Sequence, residues 1–235
     1  MVLNRFRHIA DKITKSQVKF FVRIGIKPNA LSIIGLAFGI FASITFALPQ
    51  YFIDTAVWAW VPPVLYFLSG YFDLIDGSVA RITGTSSKFG GFLDSTLDRI
   101  GDSAAIIGIM IGNMLWVGNL QVNYVIGFIA ICVTILISYT RSRAENEGVI
   151  MKGVGLMERG ERFFALLGGL IVEAILRGTV PQYNQYFFPI FFCIYLFLCF
   201  FTVMQRIIHS YKWLTGKISS KYLEKHNISL DEAEK

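Results

Sequence analysis

Charge is scarce in this chain. Aspartate, glutamate, lysine and arginine make up 16% of its 235 residues, while 54% are hydrophobic and 15% aromatic. Soluble domains carry about 25% charged residues, so the composition excludes an ordinary water-soluble domain and points to a membrane. Cysteine is equally sparse. Cys132, Cys193 and Cys199 fall in apolar runs without metal-ligand spacing, which leaves free buried thiols behaving as small hydrophobes. There is no internal repeat and no inverted pair of broken helices of the kind transporters carry. A cleaved signal peptide is not expected: Arg5 and Arg7 resemble a basic leader, but Lys12, Lys15, Lys19 and Arg23 keep the segment basic where an apolar core should follow.

What is present is apolar sequence in long runs. A spanning helix needs about 20 mainly apolar residues. Six such segments run near Ala30–Leu48, Ala56–Ile75, Phe89–Trp116, Asn123–Ser142, Arg162–Leu176 and Tyr186–Ile208. The expected fold is an all-α integral membrane protein with three parts. Residues 1–24 form an amphipathic juxtamembrane helix, residues 25–215 a six-helix transmembrane domain, and residues 216–235 a polar tail with no assignable role. In the first part Phe6, Ile9, Ile13, Phe20 and Phe21 alternate with basic residues, a pattern suited to a helix lying on the membrane surface. The N-terminal segment, the Arg81–Lys88 connection, the Arg141–Arg162 stretch and the chain from Arg206 are basic, whereas the intervening turns hold only Arg177. The positive-inside rule then puts both termini and the motif loops on the cytoplasmic side of the cell membrane. The net charge of +6 fits an anionic membrane face and anionic substrates, not nucleic acid.

Four aspartates interrupt this apolar background at a fixed spacing. Asp73-Leu74-Ile75-Asp76-Gly77-Ser78-Val79-Ala80-Arg81 is followed after eight residues by Gly90, then Asp94 and Asp98. One intramembrane carboxylate costs roughly 2.5–3.5 kcal/mol on insertion scales, so four together need a strong compensating interaction. On a helix Asp73, Asp76, Gly77 and Ala80 form one stripe at i, i+3, i+4 and i+7; Gly90, Asp94 and Asp98 form another at i, i+4 and i+8. The short connection makes the helices antiparallel neighbours, so the stripes can face each other. Gly77 and Ala80 leave room for a bulky ligand against the backbone. Hard divalent ions take oxygen ligands and are commonly shared with substrate phosphates. A two-metal clamp on a diphosphate, with a lipid tail in the membrane, is the reading this pattern favours. Helix-bundle ion pairs or a cation pathway would also use carboxylates, but neither needs the small residues or the spacing.

DxxDGxxAR, eight residues, then GxxxDxxxD matches the CDP-alcohol phosphotransferase family at all eight defining positions, and the resemblance spans the membrane region. It implies six spanning helices, a homodimer, and displacement of CMP from a CDP-lipid by an acceptor hydroxyl. It also implies two Mg²⁺ ions, with Mn²⁺ able to substitute. Asp73, Asp76 and Asp94 would hold the first, and Asp73, Asp94 and Asp98 the second. Asp98 would be the base that takes the acceptor proton. The CDP-lipid contacts would be Asp73, Gly77, Ala80, Arg81, Ser87 and the run Asn29, Ala30, Leu31 and Ser32; Ser32 stands where threonine is common.

The acceptor is read from arginines. SYxRxRAE ending at Glu145, ERxER ending at Arg162 and TVxQR ending at Arg206 are similar to the inositol-phosphate branch of the family. That likeness assigns Arg141, Arg143, Arg159, Arg162 and Arg206 to the acceptor's phosphate, which arginine's planar fork suits. Arg141 and Arg143 are two apart and would not share a helix face, so one would serve the pocket and the other the surface. The wording TSSKFGGFLDSTLDRIGD reads closer to archaeal members, though no residue separates an ether from an ester lipid. Two alternatives stand beside this reading: the same chemistry with glycerol 3-phosphate, and a cation-coupled transporter using the aspartates as its ion site.

Overall fold

The computed structural model describes residues 16–48, 58–180 and 185–217. The expected amphipathic segment before residue 16, the tail from residue 218, and residues 49–57 and 181–184 lie outside the described residues. All regular structure among the described residues is helical. A helical stretch over residues 16–24 leads into six long helices: α1 (Pro28–Ala47), α2 (Val61–Thr83), α3 (Lys88–Ile111), α4 (Leu120–Asn146), α5 (Arg159–Thr179) and α6 (Phe187–Leu214). A single 3-10 turn, Trp58–Trp60, precedes α2.

Local chemistry sets the helix ends. Proline opens α1 and lies in the first turn of α2, where its missing N–H costs nothing. Gly84 ends α2 at φ 65, and its N–H donates to the Ala80 carbonyl, a left-handed cap that glycine adopts without strain. Ser87 then caps α3 by accepting from the Gly90 N–H at 2.9 Å. Only residues 84–87 separate the helices, fewer than the expected Arg81–Lys88 connection, so Arg81 lies on α2 itself. Asn123, fully buried, holds the α3–α4 turn: it accepts from Leu115 N at 3.0 Å and donates to the Met110 carbonyl at 2.6 Å.

α1 packs along both α2 and α3, while α6 packs on α4 and α5. The two groups meet in a core built from Ile106 and Ile109 of α3, Val133 and Ile137 of α4, Leu166 and Leu170 of α5, and Phe188 and Phe192 of α6. Lipid is as apolar as leucine, so helix association in a membrane depends on close packing rather than on escape from water. Glycine supplies that closeness between α1 and α3. A Cβ on Gly108 would stand 2.2 Å from the Ser43 carbonyl oxygen, and one on Gly112 would stand 2.1 Å from that of Phe46.

Among the described residues three helices, α1, α4 and α6, are long and apolar enough to cross a membrane, with mean hydropathies of 2.1, 2.2 and 2.4. Phe128, Ile190 and Phe197 turn outward from α4 and α6. The protein is therefore a membrane protein. α2, α3 and α5 were also expected to span, but they carry the aspartates and arginines that lower their hydropathy. One expectation needs correction: only Cys199 is buried within the protein, whereas Cys132 and Cys193 are exposed on the apolar outer faces of α4 and α6. Apolar sequence marked their surroundings, not which side of the helix they occupy.

Candidate active site

The α2 and α3 stripes do face each other. Asp73, Asp76 and Asp94 each present a carboxylate oxygen, and these oxygens lie within 4.8 Å of one another. Like charges this close repel unless something positive joins them. Asp76 is 5% exposed and accepts a hydrogen bond from Ser32 Oγ of α1 at 2.5 Å. Asp98, one turn beyond Asp94, is also buried and pairs with Arg159 at 2.6 Å and Arg99 at 3.4 Å.

Arg159 opens α5 and crosses to the aspartates. Its guanidinium donates to both oxygens of Asp73, at 2.8 and 3.0 Å, in the two-pronged geometry that makes arginine–carboxylate pairs strong. One cation thus compensates two of the four carboxylates. The three converging oxygen donors fit a hard divalent ion, which prefers such ligands.

A cavity of about 820 Å³ adjoins the cluster. Asp73, Asp94, Asp98, Ser32, Arg141 and Arg159 line it, and so do the small residues Gly35, Gly39, Ser69, Gly70 and Gly101. Its size lies in the range of small-molecule and cofactor sites. Of the expected CDP-lipid contacts, only Ser32 and Asp73 line this cavity. An ideal Cβ on Gly90 would lie 3.2 Å from Ser87 Oγ and 3.7 Å from Asn29 Oδ1, and one on Gly77 would be 3.4 Å from Arg81 Nη1. Arg81 also donates to Ser78 Oγ at 2.9 Å. Ala80 is half-buried and Ala30 exposed, whereas Leu31 is fully buried against Val18, Ile75 and Val79, so its side chain serves the core.

The arginines divide. Arg141 lines the cavity and pairs with Glu145 at 2.9 Å. Arg143 is 60% exposed and pairs with Glu147. Arg162 is buried and donates to Asp102 of α3 at 2.7 Å. Arg206 is buried too, with Nε donating to the Val154 carbonyl at 3.1 Å and Nη1 to that of Ile137. None of these last three lines the cavity. Asp102 was missed by sequence reasoning, although it extends the Gly90, Asp94, Asp98 stripe by one more step of four. Gln17 and Tyr66, which also line the cavity, carry no such signal.

With four helices framing an acidic cluster beside a large cavity, the chain belongs to the CDP-alcohol phosphatidyltransferase family, which it matches over residues 26–218. It is a transferase. Among its relatives, an archaetidylinositol phosphate synthase from Pyrococcus horikoshii is 34% identical over 161 residues, covering 68% of this chain and 78% of that protein. A phosphatidylinositol phosphate synthase from Streptomyces avermitilis is 31% identical over 211 residues, covering 88% and 82%. The crystal structure of Mycobacterium tuberculosis phosphatidylinositol phosphate synthase with CDP-DAG bound shares the fold, at TM-score 0.70 and 23% identity over 85% of this chain and 94% of that one. The same enzyme in complex with manganese and citrate gives TM-score 0.69, again at 23% identity, over 84% and 88%.

Proposed function

We propose that this protein transfers the phospholipid moiety of a CDP-lipid to a myo-inositol phosphate, releasing CMP. One observation carries the reading: Asp73 and Asp94, two of the three carboxylates whose oxygens lie within 4.8 Å of one another, line a cavity that also displays Arg141 and Arg159. Cation-binding and anion-binding groups on one cavity suit a reaction between a diphosphate and a phosphorylated polyol. The names of the relatives favour inositol phosphate as that polyol.

In this reading Asp73, Asp76 and Asp94 hold one Mg²⁺, and Asp73, Asp94 and Asp98 a second, with Mn²⁺ able to replace either. Such ions neutralise the diphosphate and polarise the acceptor oxygen. Asn29, Ser32, Gly77, Ala80, Arg81 and Ser87 receive the cytidine and diphosphate, with Ala30 and Leu31 shaping the helix that presents the first two. An acceptor hydroxyl attacks the phosphorus that bears the lipid. The bond from that phosphorus to the CMP oxygen breaks, and the hydroxyl proton passes to Asp98, so CMP departs with the bonding pair. Arg159 and Arg141 hold the acceptor's phosphate; Arg162 and Arg143 flank them, Arg162 tied to α3 and Arg143 at the surface.

All six long helices span the membrane in this reading. α2, α3 and α5 have 23, 24 and 21 residues, or about 32–36 Å at 1.5 Å per residue, enough for a hydrocarbon core of about 30 Å. The basic helix ends then face the cytoplasm, and the protein resides in the cell membrane. The family resemblance adds a homodimer, which cross-linking in native membranes tests. The deciding experiment measures CMP release from CDP-archaeol and from CDP-diacylglycerol, with inositol phosphate and glycerol 3-phosphate offered separately. Release with inositol phosphate alone is expected. Release with glycerol 3-phosphate alone would transfer the same site to the other acceptor.

A further inference from the structure

The connection from α4 to α5, residues 147–158, has almost no regular structure, yet it decides where Arg159 points. Its backbone is fastened to one face of α6. Met157 N donates to Thr202 Oγ1 at 2.9 Å, and Leu156 N to Gln205 Oε1 at 3.0 Å. The Val154 carbonyl accepts from Arg206 Nε at 3.1 Å, and the Ile150 carbonyl lies 3.2 Å from His209 Nε2. Residues 202, 205, 206 and 209 share a helix face, so the segment runs antiparallel to α6 along a polar ladder. Gly155 lets it lie close: its φ is +118, and a Cβ there would meet Thr202 Cγ2 at 2.7 Å. Below the ladder Trp213 closes a small core with Ala144, Val149, Met151 and Val154.

Arg206 ties together more than the loop. Its second bond, to the Ile137 carbonyl of α4, fastens the helix one turn before Arg141. The same guanidinium therefore anchors both chain segments that carry the cavity's arginines. Thr202 is fully buried, and its hydroxyl bonds in both directions, donating to the Leu198 carbonyl at 3.0 Å while accepting from the Met157 N–H. Neither Thr202 nor Gln205 lines the cavity.

We propose that Thr202 and Gln205 are positioning residues for the acceptor: they fix the path of the segment before α5 and thereby aim Arg159 at the incoming phosphate. The idea rests on the proposed transferase reading, in which that arginine receives the acceptor. Met157 and Leu156 lie two and three residues before Arg159, so a released amide there frees the helix start itself. A purely structural ladder would lower stability and leave substrate constants alone. A positioning ladder changes one substrate constant and not the other.

The test uses Thr202→Val, which keeps the shape and removes the acceptor oxygen, and Gln205→Met, with Thr202→Ser as the conservative control. The purified full-length protein is assayed in detergent with the phosphorylated polyol that the wild type turns over. Each variant is expected to raise the acceptor KM about three- to tenfold, the fold-change of one neutral hydrogen bond. The KM for CDP-lipid should hold, and Thr202→Ser should restore the wild-type value. Hydrogen exchange at the Leu156 and Met157 amides should quicken in the matching variant, a readout independent of turnover. An unchanged acceptor KM despite faster amide exchange overturns the proposal, and so does a parallel rise in both constants. Wild type that releases no CMP with any phosphorylated polyol instead overturns the transferase reading beneath it.

Discussion

The corner formed by α2 and α3 and the corner formed by α4, α5 and α6 hold charges of opposite sign, and they treat them differently. In the first, four aspartates crowd together, and the protein answers them mainly with Arg159, Arg99 and the Ser32 hydroxyl. In the second, most arginines already have protein partners: Arg162 pairs with Asp102 of α3, Arg206 with two carbonyls, and Arg141 and Arg143 with glutamates four residues on. An acidic group left short of partners is poised to receive cations. Arginines already satisfied by protein groups hold a shape. Arg159 and Arg162 both reach across to α3, but of these arginines only Arg159 meets the four aspartates.

The largest expected effect tests the acidic corner. Asp94→Asn should abolish CMP release even at saturating Mg²⁺, and a chelator should silence the wild type in the same way. Substantial turnover by that variant would mean the cluster is an ordinary ion-pair network, and the contrast between the corners would collapse. Next comes the residue that belongs to both. Arg159→Gln removes a charge-assisted contact to the acceptor, about 1.5–3 kcal/mol, so the acceptor KM should rise by roughly one to two orders of magnitude. Titrating each substrate separately sharpens the comparison, because an equal rise in the CDP-lipid KM would assign Arg159 to the aspartates alone. The smallest effect is expected at Arg143, whose pair with Glu147 is exposed. Such pairs contribute about 0–1 kcal/mol, and Arg143→Gln should leave both KM values near those of the wild type. A tenfold loss in acceptor affinity would bring that arginine into the pocket.

The same two corners differ in how plainly the sequence announces them. Asp73, Asp76, Asp94 and Asp98 sit on unbroken helices joined by four residues, so helical periodicity converts directly into a shared face. The arginines sit at helix ends, and what they meet depends on partners far away in sequence. Asp102 lies 60 residues from Arg162, and the Ile137 carbonyl lies 69 from Arg206; no local pattern reports such pairings. That Arg141 rather than Arg143 lines the cavity likewise follows from where α4 ends. Membrane character was legible from composition. The individual spans were less so, because the functional charges on α2, α3 and α5 dilute the signal that marks α1, α4 and α6.

Gly108 and Gly112 have a consequence at the far end of their helix. Asp94 lies fourteen residues before Gly108 on α3, about 21 Å along the axis. At Gly108 and Gly112 the main chain of α3 rests against the main chain of α1, with no side chain between to compress. Backbone against backbone is a hard stop, as a shoulder is on a machined shaft. The height at which the aspartates stand beside Ser32 is therefore gauged from the opposite end of the helix pair.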